Sequence, residues 1–169
     1  MPIKSQGSIL VKGTYMNWPD DAISIGFAVL LGTAIGLERE FSGKSAGLRT
    51  NVLICLGAAV FTIISKQMGM DTNTTTTRIS AQIVTGVGFL GAGAIIRDRG
   101  GVLGLTTAAT IWLVASIGMA CGAGYHRLAG VATLSAIVVL LGLRQIERPI
   151  SRRAKKRLSK KFSEESPAD

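Results

Sequence analysis

The sequence has few of the residues from which catalytic and metal sites are built. It contains one histidine, His126, and two cysteines, Cys55 and Cys121, which both lie within apolar stretches. A metal centre or a catalytic triad draws on several convergent groups, and a thiol in apolar surroundings behaves as a small hydrophobe. The two cysteines match no disulfide or metal-binding spacing. We therefore expect no metal site, no cofactor and no enzymatic activity.

Charged residues are also scarce, and apolar residues take their place. Charged residues make up 17% of the chain and hydrophobic residues 47%, and the mean hydropathy is +0.40. The net charge of +9 does not indicate a nucleic-acid partner, because nine of the 19 Lys and Arg residues lie between Arg144 and Lys161 and no groove-reading motif accompanies them. The composition is typical of a membrane protein.

Five apolar stretches follow one another, separated by short charged or turn-like segments. They are residues 22–37, 52–65, 79–96, 102–123 and 128–143. A membrane-crossing helix needs about 17 to 25 residues, so the three shorter stretches need their flanks to complete a span. Short buried core helices are the alternative, but little polar sequence is available to cover five of them in water. We predict an all-α membrane bundle of about five transmembrane helices at residues 22–143, with an N-terminal tail at 1–21 and a basic tail without a folded domain at 144–169.

The Lys and Arg residues between the stretches predict the orientation of this bundle. With five spans, 14 of the 19 basic residues fall on one side of the membrane and five on the other. Cytoplasmic segments carry the excess of Lys and Arg. The C-terminus is therefore predicted to be cytoplasmic, and the N-terminal tail lies outside, in the periplasm.

The segment GVGFLGAG, residues 86–93, contains the Gly-x-Gly-x-x-Gly spacing of dinucleotide-binding loops. A cofactor loop needs an acidic residue about 20 positions further on, and the next acids are Asp98 and Glu147. The motif instead predicts a membrane helix with small residues on one side, which favours close approach of a neighbouring helix. The predicted packing residues are Ala81, Thr85, Gly86, Gly88, Ala92 and Gly93 in the third span and Ala109, Ser116 and Ala120 in the fourth. We expect the two sides to meet in an antiparallel hairpin at the centre of the bundle.

Charged and polar residues border the spans at the predicted cytoplasmic side. They are Glu38, Arg39, Glu40, Arg49, Thr50 and Asn51 around the first loop and Arg97 and Asp98 after the third span. Ionisable groups at membrane depth tend to mark pathways or docking sites, although interfacial anchoring is the alternative. Thr106, Thr107 and Thr110 could line a polar track, or their hydroxyls could bond to the backbone of their own helix or to a neighbouring helix. Asp98 is the expected partner of Arg49.

Four motifs at these residues, in the order IGLERE, AGLRTN, GVGFLGAGAIIRD and GLTTAATIW, resemble the membrane domain of the MgtC/SapB family. The resemblance runs over roughly residues 32–130 and implies a location in the bacterial inner membrane. It implies a link to growth in scarce magnesium, to virulence and to survival inside macrophages. It also implies a regulator of membrane energetics that restrains the proton-driven ATP synthase. The residues that stand in the family's motifs are Glu38, Arg39, Glu40, Arg49, Thr50, Asn51, Arg97, Thr106 and Thr107.

The basic tail combines an apolar stripe with a dense positive charge. Ile150, Ala154, Leu158 and Phe162 recur every four residues. Around them lie Arg152, Arg153, Lys155, Lys156, Arg157, Lys160 and Lys161. The pattern predicts a helix on the surface of anionic lipid, with a disordered tail as the alternative.

Two classes of function remain open on these residues. One is a membrane interaction module that binds another membrane protein or a second copy of itself. The other is a cation transporter with Glu38, Glu40 or Asp98 as coordinating groups. Magnesium needs oxygen-rich sites within the membrane, and no span holds a central carboxylate. The interaction module is therefore favoured.

Overall fold

The computed structural model describes residues 8–11, 14–72, 78–98 and 101–142. Five helices are present in this part of the chain: α1 (Trp18–Phe41), α2 (Leu48–Thr72), α3 (Arg78–Gly93), α4 (Leu105–Gly122) and α5 (His126–Gly142). Two antiparallel strand pairs accompany them, β1 (Ser8–Val11) with β2 (Thr14–Asn17) and β3 (Ile96–Asp98) with β4 (Gly101–Leu103). The predicted helical membrane bundle is confirmed. The basic residues from Arg152 to Lys161 lie outside the described residues, so the lipid-surface helix stays a prediction.

Three of these helices are long and apolar enough to cross a membrane, namely α1, α4 and the Leu48–Met68 part of α2. Helices α1 and α2 are longer than their apolar stretches because charged residues at their ends continue the helix. Asp20 and Asp21 lie in the first turn of α1, where carboxylates stabilise a helix N-terminus. Helix α3 has 16 residues, and at 1.5 Å per residue it measures about 24 Å, less than the hydrocarbon thickness of about 30 Å.

The chain divides into two compact units, residues 1–133 and 134–169. The first unit contains α1 to α4 and the start of α5. Of the second unit, the structure describes the end of α5, where Leu134, Val138 and Leu141 are exposed. Large apolar side chains are also exposed on the first unit, among them Leu30, Leu53 and Trp112. Hydrocarbon can cover such surfaces, as expected of a membrane protein.

Helices α1, α2 and α4 form the tightly packed centre of the first unit. A Cβ atom built at Gly32 of α1 would lie 2.9 Å from Cβ of Cys55 in α2. Cβ atoms built at Gly118 and Gly122 of α4 would collide with the carbonyl oxygens of Cys55 and Ala59, respectively. The backbone of α2 therefore approaches both neighbours through glycines, as small residues permit in membrane helices.

Helix α3 lies at the outside of this centre, and the predicted packing of its small residues is wrong for the isolated chain. Among residues 80–93 of α3, the buried ones are Ile83, Val87 and Gly91, and a Cβ built at Gly91 would lie 3.6 Å from the carbonyl oxygen of Ala108. The predicted small residues are exposed instead: Ala81, Thr85, Gly86, Gly88, Ala92 and Gly93. Ile83 and Val87 join the apolar core, because their larger side chains bury more apolar surface than the glycines do.

The fourth span also packs through residues other than the predicted ones. Ala109 is exposed, and Ser116 and Ala120 are only half-buried. Helices α3 and α4 do contact each other and are joined by the β3–β4 hairpin. The centre of the bundle, however, is the packing of α2 against α1 and α4, since α4 turns Gly118 and Gly122 towards α2.

Candidate functional site

The first loop, residues 42–47, brings the end of α1 beside the start of α2. Gly43 has a left-handed φ of 62°, which glycine adopts without strain. The Gly43 amide donates to the carbonyl of Glu40 at 2.9 Å, and the Lys44 amide donates to the carbonyl of Arg39 at 3.1 Å. These bonds satisfy carbonyls that the end of α1 would leave unpaired. The loop thereby fixes the positions of the charged residues in the last turns of α1.

Glu40 caps the second helix. Its Oε2 accepts a hydrogen bond from the backbone N–H of Leu48, the first residue of α2, at 2.9 Å. A carboxylate at this position satisfies a free amide and offsets the positive end of the helix dipole. A side chain at Gly47 would collide with this carboxylate. Glu40 therefore holds the two helices together at their ends.

Asn51 stabilises the same loop from a buried position. Asn51 is fully buried. Its Nδ2 donates to the carbonyl of Ala46 at 2.8 Å and to the carbonyl of Gly47 at 2.7 Å. Its Oδ1 has no hydrogen-bond partner among the described residues. Asn51 thus stabilises the first loop through two hydrogen bonds, and its Oδ1 is a buried acceptor.

Glu38 and Arg39 are the buried charges of this end. Arg39 is 2% exposed, and its Nη1 lies 3.7 Å from Oε2 of Glu38. Nη2 of Arg39 donates to Oγ1 of Thr107 in α4 at 3.3 Å. Oε1 of Glu38 accepts a hydrogen bond of 2.6 Å from the hydroxyl of Ser42. We call these four residues the charged cluster.

The charged cluster neutralises its own charges and connects two helices. A charge that is removed from water is costly unless it is paired and hydrogen-bonded. Here the guanidinium of Arg39 lies between a carboxylate of its own helix and a hydroxyl of α4. The arrangement therefore links α1 to α4 through a polar contact at one end of the bundle.

The remaining predicted residues of this end are spread around the cluster. Arg49 and Thr50 are exposed in the first turn of α2, and Arg97 is exposed on β3. The side chain of Asp98 lies outside the described part, so its pairing with Arg49 stays a prediction. Thr106 is exposed, and its carbonyl accepts a bond of 2.8 Å from the hydroxyl of Thr110. The hydroxyl of Thr110 therefore bonds to the backbone of its own helix, whereas the hydroxyl of Thr107 accepts from Arg39 of a neighbouring helix.

Sequence reasoning missed two polar contacts at the opposite end of α1. Oγ of Ser24 and Nε2 of His126 are 3.1 Å apart, and the ring of Phe27 stacks on His126 with centroids 4.8 Å apart. Nε2 of Gln67 in α2 donates to Oδ2 of Asp21 at 2.8 Å. The partners are separated by 102 and 46 positions, respectively. No local pattern in the sequence brings such residues together.

The fold and the charged cluster define a multi-helix membrane protein that holds a neutralised set of charges at one end of its bundle. The chain belongs to the MgtC family, whose model matches residues 25–149. The predicted resemblance is thereby confirmed. The matched region includes all of the charged cluster.

Proteins named MgtC are among the relatives of this chain. Protein MgtC of Brucella abortus (strain 2308) is 45% identical over 136 residues, which are 80% of this chain and 56% of that protein. Protein MgtC of Salmonella typhimurium is 45% identical over 135 residues, 77% of this chain and 57% of that protein. An uncharacterized protein of Synechocystis sp. is 40% identical over 131 residues, 78% of this chain and 55% of that protein. The matches thus span little more than half the length of these relatives. No solved structure matches the chain.

Proposed function

We propose that this protein is a regulatory module of the bacterial inner membrane that acts by binding another membrane protein. Its proposed target is a complex of the ATP synthase type, so that it adjusts membrane energetics during growth in scarce magnesium or inside host cells. The proposal extends the family membership and assigns the protein a binding role without catalysis.

The outer face of α3 is the observation that carries this proposal. Ala81, Thr85, Gly88 and Ala92 are exposed on one side of the helix, and a Cβ atom built at Gly88 meets no atom of the described residues within 4 Å. In lipid, helices associate through small residues that allow their backbones to approach closely. We infer that a helix of a partner protein packs on this face.

The charged cluster supports a binding role in a second way. Arg39 links α1 to α4 through Thr107, and the Glu38 carboxylate lies beside its guanidinium. Helices α3, α4 and α5 contain no carboxylate at all. A path for a hydrated divalent cation needs several oxygen ligands along its length, so these residues fit a structural link better than a transport route.

Cation transport is the second candidate, and one observation favours it. Oε2 of Glu38, which lies 3.7 Å from Nη1 of Arg39, and Oδ1 of Asn51 are buried acceptors without a hydrogen-bond partner among the described residues. Acceptor oxygens of this kind are the ligands that hard cations prefer. Both belong to the end of the bundle at which the charged cluster lies.

The test is co-purification of ATP synthase subunits, identified by mass spectrometry, with variants of matched exposure. Gly88→Leu alters the outer face of α3, and Gly26→Leu makes the same change on α1, where a built Cβ also meets no described atom within 4 Å. We expect Gly88→Leu to reduce co-purification at least tenfold and Gly26→Leu to leave it at the wild-type level. Equal recovery with both variants would contradict the proposal.

A separate measurement addresses the transport candidate. Purified protein in liposomes is assayed for magnesium flux, with Glu38→Gln as the variant. A flux that Glu38→Gln abolishes favours transport, and the absence of flux above that of empty liposomes favours the binding role.

A further inference from the structure

A groove of about 280 Å³ lies between α1 and α2 at the end of the bundle opposite the charged cluster. Its walls come from the first turns of α1 and the second half of α2. The lining residues are Trp18, Asp21, Ala22, Ile25, Val60, Ile63, Ile64 and Gln67. We call it the α1–α2 groove.

The α1–α2 groove combines an aliphatic wall with opposite charges at its mouth. Ile25, Val60, Ile63 and Ile64 provide the wall. At the mouth, Asp21 is held by the hydrogen bond from Gln67. Lys66 precedes Gln67 in α2 and is exposed. A ligand that matches this site has an apolar chain and a headgroup with charges of both signs.

The position of the groove indicates where such a ligand comes from. Both helices are able to cross a membrane, and the groove lies where the span of α1 begins and the span of α2 ends. Trp18, at its mouth, is half exposed, and tryptophan is enriched where hydrocarbon meets water. A lipid can therefore enter the groove sideways from the bilayer.

We propose that the α1–α2 groove binds a phospholipid with a primary ammonium headgroup, of the phosphatidylethanolamine class. The acyl chain lies along the isoleucine wall, the ammonium donates to the carboxylate of Asp21, and the phosphate pairs with Lys66. A primary ammonium has three N–H donors, whereas the trimethylated headgroup of phosphatidylcholine has none. Recognition by Asp21 thus distinguishes the two lipids.

The test measures quenching of Trp18 fluorescence by lipids with brominated acyl chains in detergent. The chain has two tryptophans, so a Trp112→Phe background leaves Trp18 as the only emitter. We expect brominated phosphatidylethanolamine to quench with a midpoint at least tenfold lower than phosphatidylcholine or phosphatidylglycerol with the same chains. Equal midpoints for the three lipids would overturn the proposal.

Two variants in the same background separate headgroup recognition from a general charge effect. Asp21→Asn should raise the phosphatidylethanolamine midpoint at least tenfold. Asp20→Asn makes the same change of charge at an exposed position one residue earlier, and it should shift the midpoint less than twofold. Equal shifts for both variants would count against the role of Asp21.

A third variant tests the groove itself and keeps the proposal testable if Asp21→Asn does not fold. Ala22→Leu fills the groove without changing any charge, and we expect it to raise the midpoint at least fivefold. An unchanged midpoint would show that the acyl chain does not lie there. Circular dichroism and melting temperature without added lipid confirm that each variant is folded.

Discussion

Helices α3 and α4 both carry glycines within their apolar sequence, and the surroundings of the two sets are opposite. Gly118 and Gly122 of α4 face the carbonyl oxygens of Cys55 and Ala59 in α2. Gly88 and Gly93 of α3 are exposed, and Cβ atoms built there meet no described atom within 4 Å. A run of small residues therefore shows that another helix can approach closely. It does not show which helix packs there.

The difference follows from which residues each helix buries. On α3, Ile83 and Val87 are buried in the core of the first unit, so the glycines on the opposite side are left outside. On α4, Gly118 and Gly122 are spaced by four positions and lie in the buried face itself. This small-xxx-small pair lets the backbone of α4 approach the backbone of α2 closely. The glycines of α3 make no such approach to α2.

Gly118→Leu tests the packed side of the comparison and should have the largest effect. A Cβ at this position already collides with a backbone carbonyl of α2, which cannot move without displacing that helix. Overpacking of a core costs about 1 to 3 kcal/mol, and a collision with backbone costs more. We expect little or no monodisperse protein after size-exclusion chromatography. Wild-type yield and melting temperature would show that α4 is not packed on α2 in this way.

Arg39→Leu tests the polar link between two of the packed helices. Removal of the guanidinium leaves the buried carboxylate of Glu38 without its ionic neighbour, and such a change costs about 3 to 5 kcal/mol in a protein interior. We expect a loss at the lower end of this range, since Ser42 still donates to Glu38. The measurement is the free energy of unfolding in detergent.

Arg49→Leu is the matched control for this variant. Arg49 is exposed in the first turn of α2, so its replacement should change the free energy of unfolding by less than about 0.5 kcal/mol. Equal effects of the two substitutions would mean that Arg39 has no special role in joining α1 to α4.

Thr107→Val isolates the other half of the same link and should have a smaller effect. The substitution removes the hydroxyl that accepts from Arg39 and nearly preserves the shape of the side chain. We expect a loss of about 1 kcal/mol in the free energy of unfolding. Thr110→Val is the control, because the hydroxyl of Thr110 donates to the carbonyl of Thr106 in its own helix. In the double variant Arg39→Leu/Thr107→Val the losses should not add, since both remove the same contact.

The sequence was enough to predict the five helices and the end of the bundle at which the charged cluster lies. Five apolar stretches separated by charges predict five helices, and Glu38 and Arg39 follow the first stretch directly. The motifs also identified Thr107 together with Arg39, which lie in contact although 68 positions separate them. The family motifs made this identification possible, because a hydropathy pattern does not indicate which distant residues are in contact.

The sequence was not enough to assign contacts between helices. Periodicity places Gly88 on one side of α3 but does not tell whether that side faces the chain or the outside. The capping role of Glu40 depends on the path of the first loop, and the Ser24–His126 contact depends on the packing of α1 against the start of α5. Each of these is a tertiary contact, for which a single sequence carries no local signal.

Gly88→Leu tests the open side of the comparison and should have the smallest effect on the isolated protein. A leucine at this position meets no described atom within 4 Å of its Cβ, and leucine is the better helix former by somewhat less than about 1 kcal/mol. We expect the free energy of unfolding to stay within about 0.5 kcal/mol of the wild type or to rise slightly. Gly91→Leu, on the buried side of the same helix beside Ala108, should lower it by about 1 to 3 kcal/mol. If Gly88→Leu lowered the free energy of unfolding as much as Gly91→Leu does, the outer face of α3 would be covered in the folded state, and the contrast with α4 would disappear.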